Sequence, residues 1–231
     1  MREQTKCIEQ EREQICEFGA SGVRTESGMI YTLSIIGQVE GHQLLPETVK
    51  TTKYEHILPL LAGIEENPEV SGLLLLLNTV GGDIEAGLAI AEMISGMRKP
   101  TVSLVLGGGH SIGVPLAVAA KKCMIARSAS MTIHPVRMTG MVIGAPQTYQ
   151  YFNKVQDQIV DFVTEHSHIG RERFLRYMMA TGEIATDVGT VLYGREAVEC
   201  GLIERVGNLG DALETLHRLI AQKKRKDKKR N

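Results

Sequence analysis

The 231-residue sequence predicts an α/β domain built on a mostly parallel β-sheet. Three observations support this class. Five successive leucines at 73–77 are typical of a strand that is buried on both faces of a sheet. Two glycine-containing junctions, at 81–82 and 107–109, each join an apolar strand-like run to a helix-like segment. Strand and helix patterns also alternate almost throughout the chain, which is the order that right-handed crossovers between parallel strands produce.

The first half of the chain contains the predicted core strands. Residues 1–28 are polar and show no sustained periodicity, so we predict an N-terminal extension that is partly helical or disordered. The patterns that follow predict, in chain order, a strand over 31–36, a helix with apolar positions from 57 to 64 that stops near Asn67-Pro68, the leucine strand, a helix that Asp83 opens, a strand over 101–106 and a helix over 112–120.

The second half is predicted to alternate in the same way. Its elements are a strand over 131–133, a long helix over 147–166, a helix over 170–179, a loop over 182–190, a short helix over 195–200, a strand over 202–206 and a closing helix over 209–221. The long helix carries more apolar residues than one core contact needs. It therefore indicates packing against a second subunit, with an ordinary amphipathic surface helix as the alternative.

Composition argues against several classes of protein. The cysteines show no metal-ligand spacing, so we expect no metal and no cofactor, and they are typical of reduced thiols. They are Cys7, Cys16, Cys123 and Cys200. No apolar run is long enough to span a bilayer, and the charged N-terminus lacks the apolar core of a signal peptide. We therefore expect a cytoplasmic protein.

Positive charge is concentrated in the basic tail, residues 223–231, while the formal net charge of the whole chain is −1. The balanced total argues against a dedicated nucleic-acid binder. The tail itself would be attracted to an anionic membrane, and each basic residue near the surface would contribute about 1 kcal/mol of binding free energy. A peripheral membrane contact is one prediction from this tail, and a disordered segment that aids solubility is the other.

Ser111 and His134 are the candidate catalytic side chains that the pattern itself offers. Ser111 lies within Gly-His-Ser-Ile-Gly at a strand-to-helix turn, where small neighbours admit a substrate and helix amides face developing negative charge. A helix N-cap is the alternative role for this serine. His134 follows a strand and precedes Pro135, which places it at a sheet edge as either a general base or an ordinary surface histidine.

Four motifs in a fixed order carry a resemblance to a known family. They are Asn78-Thr79-Val80-Gly81-Gly82-Asp83, Gly109-His110-Ser111-Ile112-Gly113, Met131-Thr132-Ile133-His134-Pro135 and Glu196-Ala197-Val198-Glu199-Cys200-Gly201-Leu202-Ile203. Residues 30–207 with these motifs resemble the proteolytic subunit of the Clp protease. Closer still is the resemblance to the Clp-like translocation-enhancing proteins.

The resemblance implies a crotonase-like ββα superhelix over residues 29–222, with a mostly parallel sheet and a long protruding helix. It implies a serine endopeptidase that hydrolyses peptide bonds in peptide or protein substrates, and a role in the export of presecretory proteins. It also implies a homo-oligomeric ring, either a heptamer or two stacked heptamers. An AAA+ ATPase or the secretion machinery would be further partners, and no nucleic acid is implied.

The same resemblance assigns roles in the site. Ser111 corresponds to the nucleophile and His134 to the general base. The oxyanion hole is assigned to the backbone amides of Gly81 or Gly82 and of Ile112, because close main-chain approach suits glycine.

The third triad residue is where the sequence departs from the family. Counting back without gaps from Glu196 places Gly189 at the position of the family's aspartate. A two-residue insertion in a turn at 190–194 would bring Asp187 there instead. Asp187 is therefore the predicted acid, and a vacant acid position is the alternative.

Two further functions remain open. A crotonase-type acyl-CoA hydratase or isomerase would use the same paired amides with acidic catalysis, and Glu85 is the acidic candidate for it. A non-catalytic Clp-like scaffold that assists protein export, held at membranes by the basic tail, would suit a vacant acid position. Export assistance and proteolysis are compatible, because clearing stalled preproteins would itself help translocation.

Overall fold

The computed structural model describes Ile15 and residues 19–137, 143–184 and 187–230, with the backbone alone at 183, 184, 187 and 230. The strands in this part of the chain are β1 Ala20–Thr25, β2 Gly28–Glu40, β3 Thr51–Lys53, β4 Val70–Gly82, β5 Thr101–Gly109, β6 Lys122–Ile125, β7 Ser130–Ile133, β8 Thr181–Ile184, β9 Asp187–Val188, β10 Thr190–Tyr193 and β11 Arg205–Val206. The helices are α1 Tyr54–Glu66, α2 Ile84–Gly96, α3 Gly113–Val118, α4 Ala145–Glu165, α5 Arg171–Met178, α6 Gly194–Glu199 and α7 Leu209–Arg230.

Nine of the described strands form one mixed sheet, whose main path runs β1-β2-β4-β5-β6-β11. The five strands from β2 to β11 on this path are parallel, and β1 is antiparallel to β2. Strand β3 lies beside β2, while β7 branches from β5 and pairs antiparallel with β10. The predicted α/β class with a mostly parallel sheet is confirmed.

The leucine strand β4 is buried on both faces, as its composition predicts. Leu73, Leu75 and Leu77 lie in the larger core, together with apolar side chains of α1 and α2. Leu74 faces the opposite side, where Leu216 of α7 covers the sheet. Successive side chains of a strand point to opposite faces, so a continuous leucine run suits a strand that helices cover on both sides.

Several predicted boundaries are wrong because backbone pairing extends beyond the apolar runs. Strands β4 and β5 continue through their terminal glycines to Gly82 and Gly109. Strand β2 occupies 28–40 instead of 31–36. The predicted loop over 182–190 contains most of β8, all of β9 and the first residue of β10, and β8 pairs with β9. The predicted strand over 202–206 is wrong in the opposite direction, because only β11 pairs there.

Both ends of the described chain hold more regular structure than predicted. Residues 20–25 of the predicted extension form β1 and pair with β2, whereas residues 1–14 and 16–18 lie outside the described residues. Helix α7 continues through the basic tail to Arg230, so the disordered tail is wrong. Lysine and arginine are good helix formers, and Leu216 and Ile220 anchor the preceding turns in the core.

The long helix α4 packs through its C-terminal third. Its buried residues are Val160, Phe162 and Val163. Tyr149 and Tyr151, nearer the N-terminal end, are 68% and 47% exposed. The helix therefore protrudes from the core of the single chain.

The described cysteines are free thiols in the core. Burial raises the pKa of Cys123 to about 11 and also raises the pKa of Cys200. Within the described ranges, no group of three or more His, Cys, Asp or Glu side chains is placed to hold a metal ion. No helix in those ranges is both long and apolar enough to cross a membrane.

Candidate active site

Ser111 lies in the turn between β5 and α3 and has a φ of +57°. Among the described residues it is the one non-glycine residue with positive φ, a conformation that costs about 1–3 kcal/mol. Its N–H donates to the Thr132 carbonyl and its own carbonyl accepts from the Val114 N–H, both at 2.9 Å. Ile112 is the N-cap of α3, so the capping role for Ser111 is wrong. A strained turn that is held this firmly is how hydrolases present a nucleophilic serine.

Gly81 makes the close approach to Ser111 possible. It has a φ of +95°, and a Cβ built on it would lie 2.6 Å from Ser111 Cβ. The Gly81 N–H donates to Thr79 Oγ1 at 3.0 Å, so this amide is already engaged. Gly82 and Ile112 both line the pocket beside Ser111, and no hydrogen bond found among the described residues uses the Ile112 N–H.

His134 follows β7 and is held by the backbone beside it. Its Nδ1 lies 2.7 Å from the Pro135 carbonyl oxygen. Because a carbonyl oxygen can only accept, Nδ1 carries the proton and Nε2 of the neutral ring is left with its lone pair. This is the tautomer that a general base needs, and here the orienting group is a backbone carbonyl.

Gly189 lies directly against His134. A Cβ built on Gly189 would be 2.8 Å from His134 Cβ and 2.4 Å from the Ile133 carbonyl oxygen. The next residue, Thr190, pairs with Ile133, and β10 follows β7 in regular antiparallel register. Residues 190–193 therefore form β10, and the predicted turn at 190–194 is wrong there. The count without gaps gives Gly189 as the residue beside His134, and this is where the structure has it.

Asp187 has its backbone in β9, where it pairs with Ile184 of β8. Its side chain lies outside the part of the chain that the structure describes. Its role as the triad acid stays a prediction.

A pocket of about 160 Å³ brings Ser111 and His134 together. Its walls are mainly apolar, and no acidic side chain is among the described residues that line it. The full lining is Gly82, Ile84, Ser111, Ile112, Val114, Ile133, His134, Pro135, Val136, Arg137, Ile159, Phe174 and Met178. No hydrogen bond joins the side chains of Ser111 and His134 in the described structure, so the two side chains must come closer before a proton can pass between them, as is common before substrate binds.

Two other side chains, the acidic candidate Glu85 and His110 beside the serine, do not line this pocket. Glu85 is exposed on the first turn of α2 and does not line the pocket, which leaves the acyl-CoA hypothesis without its acidic group there. His110, the neighbour of Ser111, instead forms a 2.7 Å hydrogen bond between Nδ1 and Thr132 Oγ1. Burial lowers the pKa of His110, which favours its neutral form near pH 7.

Sequence reasoning missed the roles of Thr132 and Pro135. Thr132 binds the Ser111 N–H through its carbonyl and His110 through its hydroxyl, so it fixes both residues of the turn. Pro135 orients His134 through its carbonyl. Backbone carbonyls are present at every residue, so residue identity gives no signal for the two carbonyl contacts.

Comparison with known proteins gives one family. The family model described as Clp protease matches residues 31–209. The translocation-enhancing protein TepA of Halalkalibacterium halodurans is 54% identical over 209 residues, which cover 90% of this chain and 82% of that protein. The putative protease MJ0651 of Methanocaldococcus jannaschii is 24% identical over 78% of this chain and 65% of its own length. The ATP-dependent Clp protease proteolytic subunit 1 of Protochlamydia amoebophila is 25% identical over 62% of this chain and 68% of its own length.

The contact between Gly189 and His134 predicts the cost of a side chain at this position. Gly189→Ala should lower the free energy of unfolding by at least about 2 kcal/mol more than Gly182→Ala, measured by urea denaturation. Both glycines have positive φ, at +136° and +99°, so left-handed strain is common to the two variants. A Cβ at Gly182 would meet no atom of the described chain within 4 Å. Equal losses in the two variants would contradict the contact.

Proposed function

Since the chain belongs to the Clp protease family, we propose that it is a serine endopeptidase with Ser111 as nucleophile and His134 as general base. The observation that carries the proposal is the shared pocket, which Ser111 and His134 line together at the strained turn after β5. A structural serine would need neither the positive φ nor a histidine of the right tautomer at the same cavity.

The residues of the site suit the steps of peptide hydrolysis. His134 Nε2 would take the proton from Ser111 Oγ, which attacks the peptide carbonyl to form a tetrahedral intermediate. His134 would then give the proton to the leaving amine, and water would release the acyl group by the same steps. The amides of Gly82 and Ile112 would hold the oxyanion, since the Gly81 amide is engaged by Thr79.

The apolar part of the pocket would receive a substrate side chain next to the scissile bond. Ile84, Val114, Ile159, Phe174 and Met178 provide its apolar walls. A cavity of about 160 Å³ has room for a medium-sized aliphatic side chain. We therefore propose peptides with an aliphatic residue at this position as substrates.

Two candidates could complete the triad. Asp187 remains the carboxylate proposed for it, since it precedes by two residues Gly189, which lies against His134. The Pro135 carbonyl already orients the ring, although a neutral carbonyl stabilises the imidazolium less than a carboxylate does.

The assembly and cellular role extend the same proposal. Exposed Tyr149 and Tyr151 on α4 offer an apolar surface through which copies of the chain could form a cytoplasmic ring that encloses the sites. An AAA+ ATPase or the secretion machinery would deliver substrates to it. The name of the relative that is 54% identical, a translocation-enhancing protein, supports assistance to protein export through removal of stalled polypeptides.

The first prediction from this proposal concerns covalent labelling. A fluorophosphonate probe should add the mass of one probe less HF to the folded wild-type protein, because the activated serine oxygen bonds to phosphorus while fluoride and the hydroxyl proton are lost. Ser111→Ala should take up none, whereas Ser95→Ala, which changes a serine that bonds its own helix at Glu92, should be labelled as the wild type is. Intact-protein mass spectrometry measures the adduct. An adduct on Ser111→Ala, or none on the wild type, would contradict the proposed nucleophile.

The second prediction concerns Asp187. Asp187→Asn should slow fluorophosphonate labelling at pH 7 by about 10²-fold or more, because the amide cannot stabilise the imidazolium that forms. Asp227→Asn, at an exposed position in α7, should leave the rate unchanged and controls for the loss of one negative charge. A rate for Asp187→Asn within twofold of wild type would show that the enzyme works without this carboxylate.

A further inference from the structure

A cleft of about 610 Å³ lies between the C-terminal part of α7 and the segment that joins α2 to β5. Five of its nine lining residues are cationic and one is acidic. We call it the basic cleft, and its lining is Arg98, Pro100, Lys121, Leu219, Gln222, Lys223, Lys226, Asp227 and Lys229. It is separate from the pocket of Ser111, with which it shares no lining residue.

One face of α7 supplies most of the charge. Lys223, Lys226 and Lys229 follow one another at intervals of three, so they lie on the same side of the helix. The tail is fixed to the body of the protein, because Lys223 Nζ donates to the Arg98 carbonyl at 3.3 Å and Lys224 Nζ donates to the Ser27 carbonyl at 3.0 Å. These two bonds hold this part of α7 against the body of the protein.

Most of this charge has no acidic partner. Lys121 Nζ donates to the carbonyls of Arg98 and Lys99 at 2.8 and 2.7 Å, and carbonyl acceptors do not neutralise an ammonium group. Among the described residues, Arg98 forms ion pairs with Glu65 and Glu66. The four lysines of the cleft form no ion pair with a described residue; they are Lys121, Lys223, Lys226 and Lys229. Burial, and then the charge of Lys223, lower the pKa of Lys121, so the like charges already repel one another.

We propose that the basic cleft docks the protein onto a bilayer of anionic phospholipid, with a headgroup phosphate between Lys121 and the lysine face of α7. A phosphate there would neutralise charges that repel one another in the free protein. The proposal does not depend on whether Ser111 is catalytic.

The lining favours lipid over nucleic acid. No aromatic side chain is among the described lining residues, so single-stranded bases would find no stacking surface. The remainder of the chain is acidic enough to bring the formal net charge to −1, which disfavours wrapping by a long polyanion. A single cationic face instead suits a planar array of phosphates.

Sedimentation with vesicles tests the proposal on the full-length protein in 0.1 M NaCl. The wild type should bind vesicles that contain 30 mol% phosphatidylglycerol and not pure phosphatidylcholine vesicles, and 0.5 M NaCl should release it. The triple variant Lys223→Gln, Lys226→Gln, Lys229→Gln should lose roughly a hundredfold in partition coefficient, at about fivefold for each lysine. Ser111→Ala should bind as the wild type does, which separates docking from peptidase activity.

A matched control distinguishes the cleft from the net charge of the tail. The variant Lys224→Gln, Arg225→Gln, Lys228→Gln removes the same charge from the same helix but from residues that do not line the cleft, and it should lose less than tenfold. Circular dichroism checks that both variants keep α7. Equal losses in the two variants, no preference for anionic vesicles, or tighter binding to a single-stranded RNA than to vesicles would overturn the proposal.

Discussion

The close approach of β4 to the turn after β5 is the constraint on which the candidate site depends. Ser111 can hold its positive φ only because Gly81 leaves room for its Cβ and the Thr132 carbonyl binds its N–H. Gly113 allows the same contact, since a Cβ on it would lie 2.7 Å from Thr79 Cγ2 of β4. Gly87 lets α2 approach the same turn, since a Cβ on it would lie 2.3 Å from Ile112 Cγ1. Packing of the parallel sheet therefore fixes the direction in which the Ser111 side chain points.

The histidine side of the pocket depends on a second close approach. Gly189 lets β10 pass against His134 with no side chain between them, and the Pro135 carbonyl sets the tautomer of the ring. A glycine and a backbone acceptor thus lie beside His134 in the described structure. In the proposed mechanism the Pro135 carbonyl orients the ring, and Asp187 is the carboxylate proposed to stabilise its charged form.

Sequence patterns predicted much of this arrangement. The leucine strand, the helix that Asp83 opens and the long helix α4 were predictable because apolar periodicity and capping report burial directly. The ends of β4 and β5, the β8–β9 pair and the helical basic tail were not, because backbone pairing and anchoring at Leu216 leave little trace in local composition. The same holds in the site. The motifs singled out Ser111 and His134, whereas the carbonyls of Thr132 and Pro135 act through atoms that every residue has.

In the proposed mechanism the turn at Ser111 aims its hydroxyl at a carbonyl that backbone amides hold. A crystal structure of the protein after treatment with diisopropyl fluorophosphate would show this geometry. We expect phosphorus bonded to Ser111 Oγ and its oxygen about 2.7–3.1 Å from the amide nitrogens of Gly82 and Ile112. An unmodified Ser111, or a phosphoryl oxygen that points away from both amides, would contradict it.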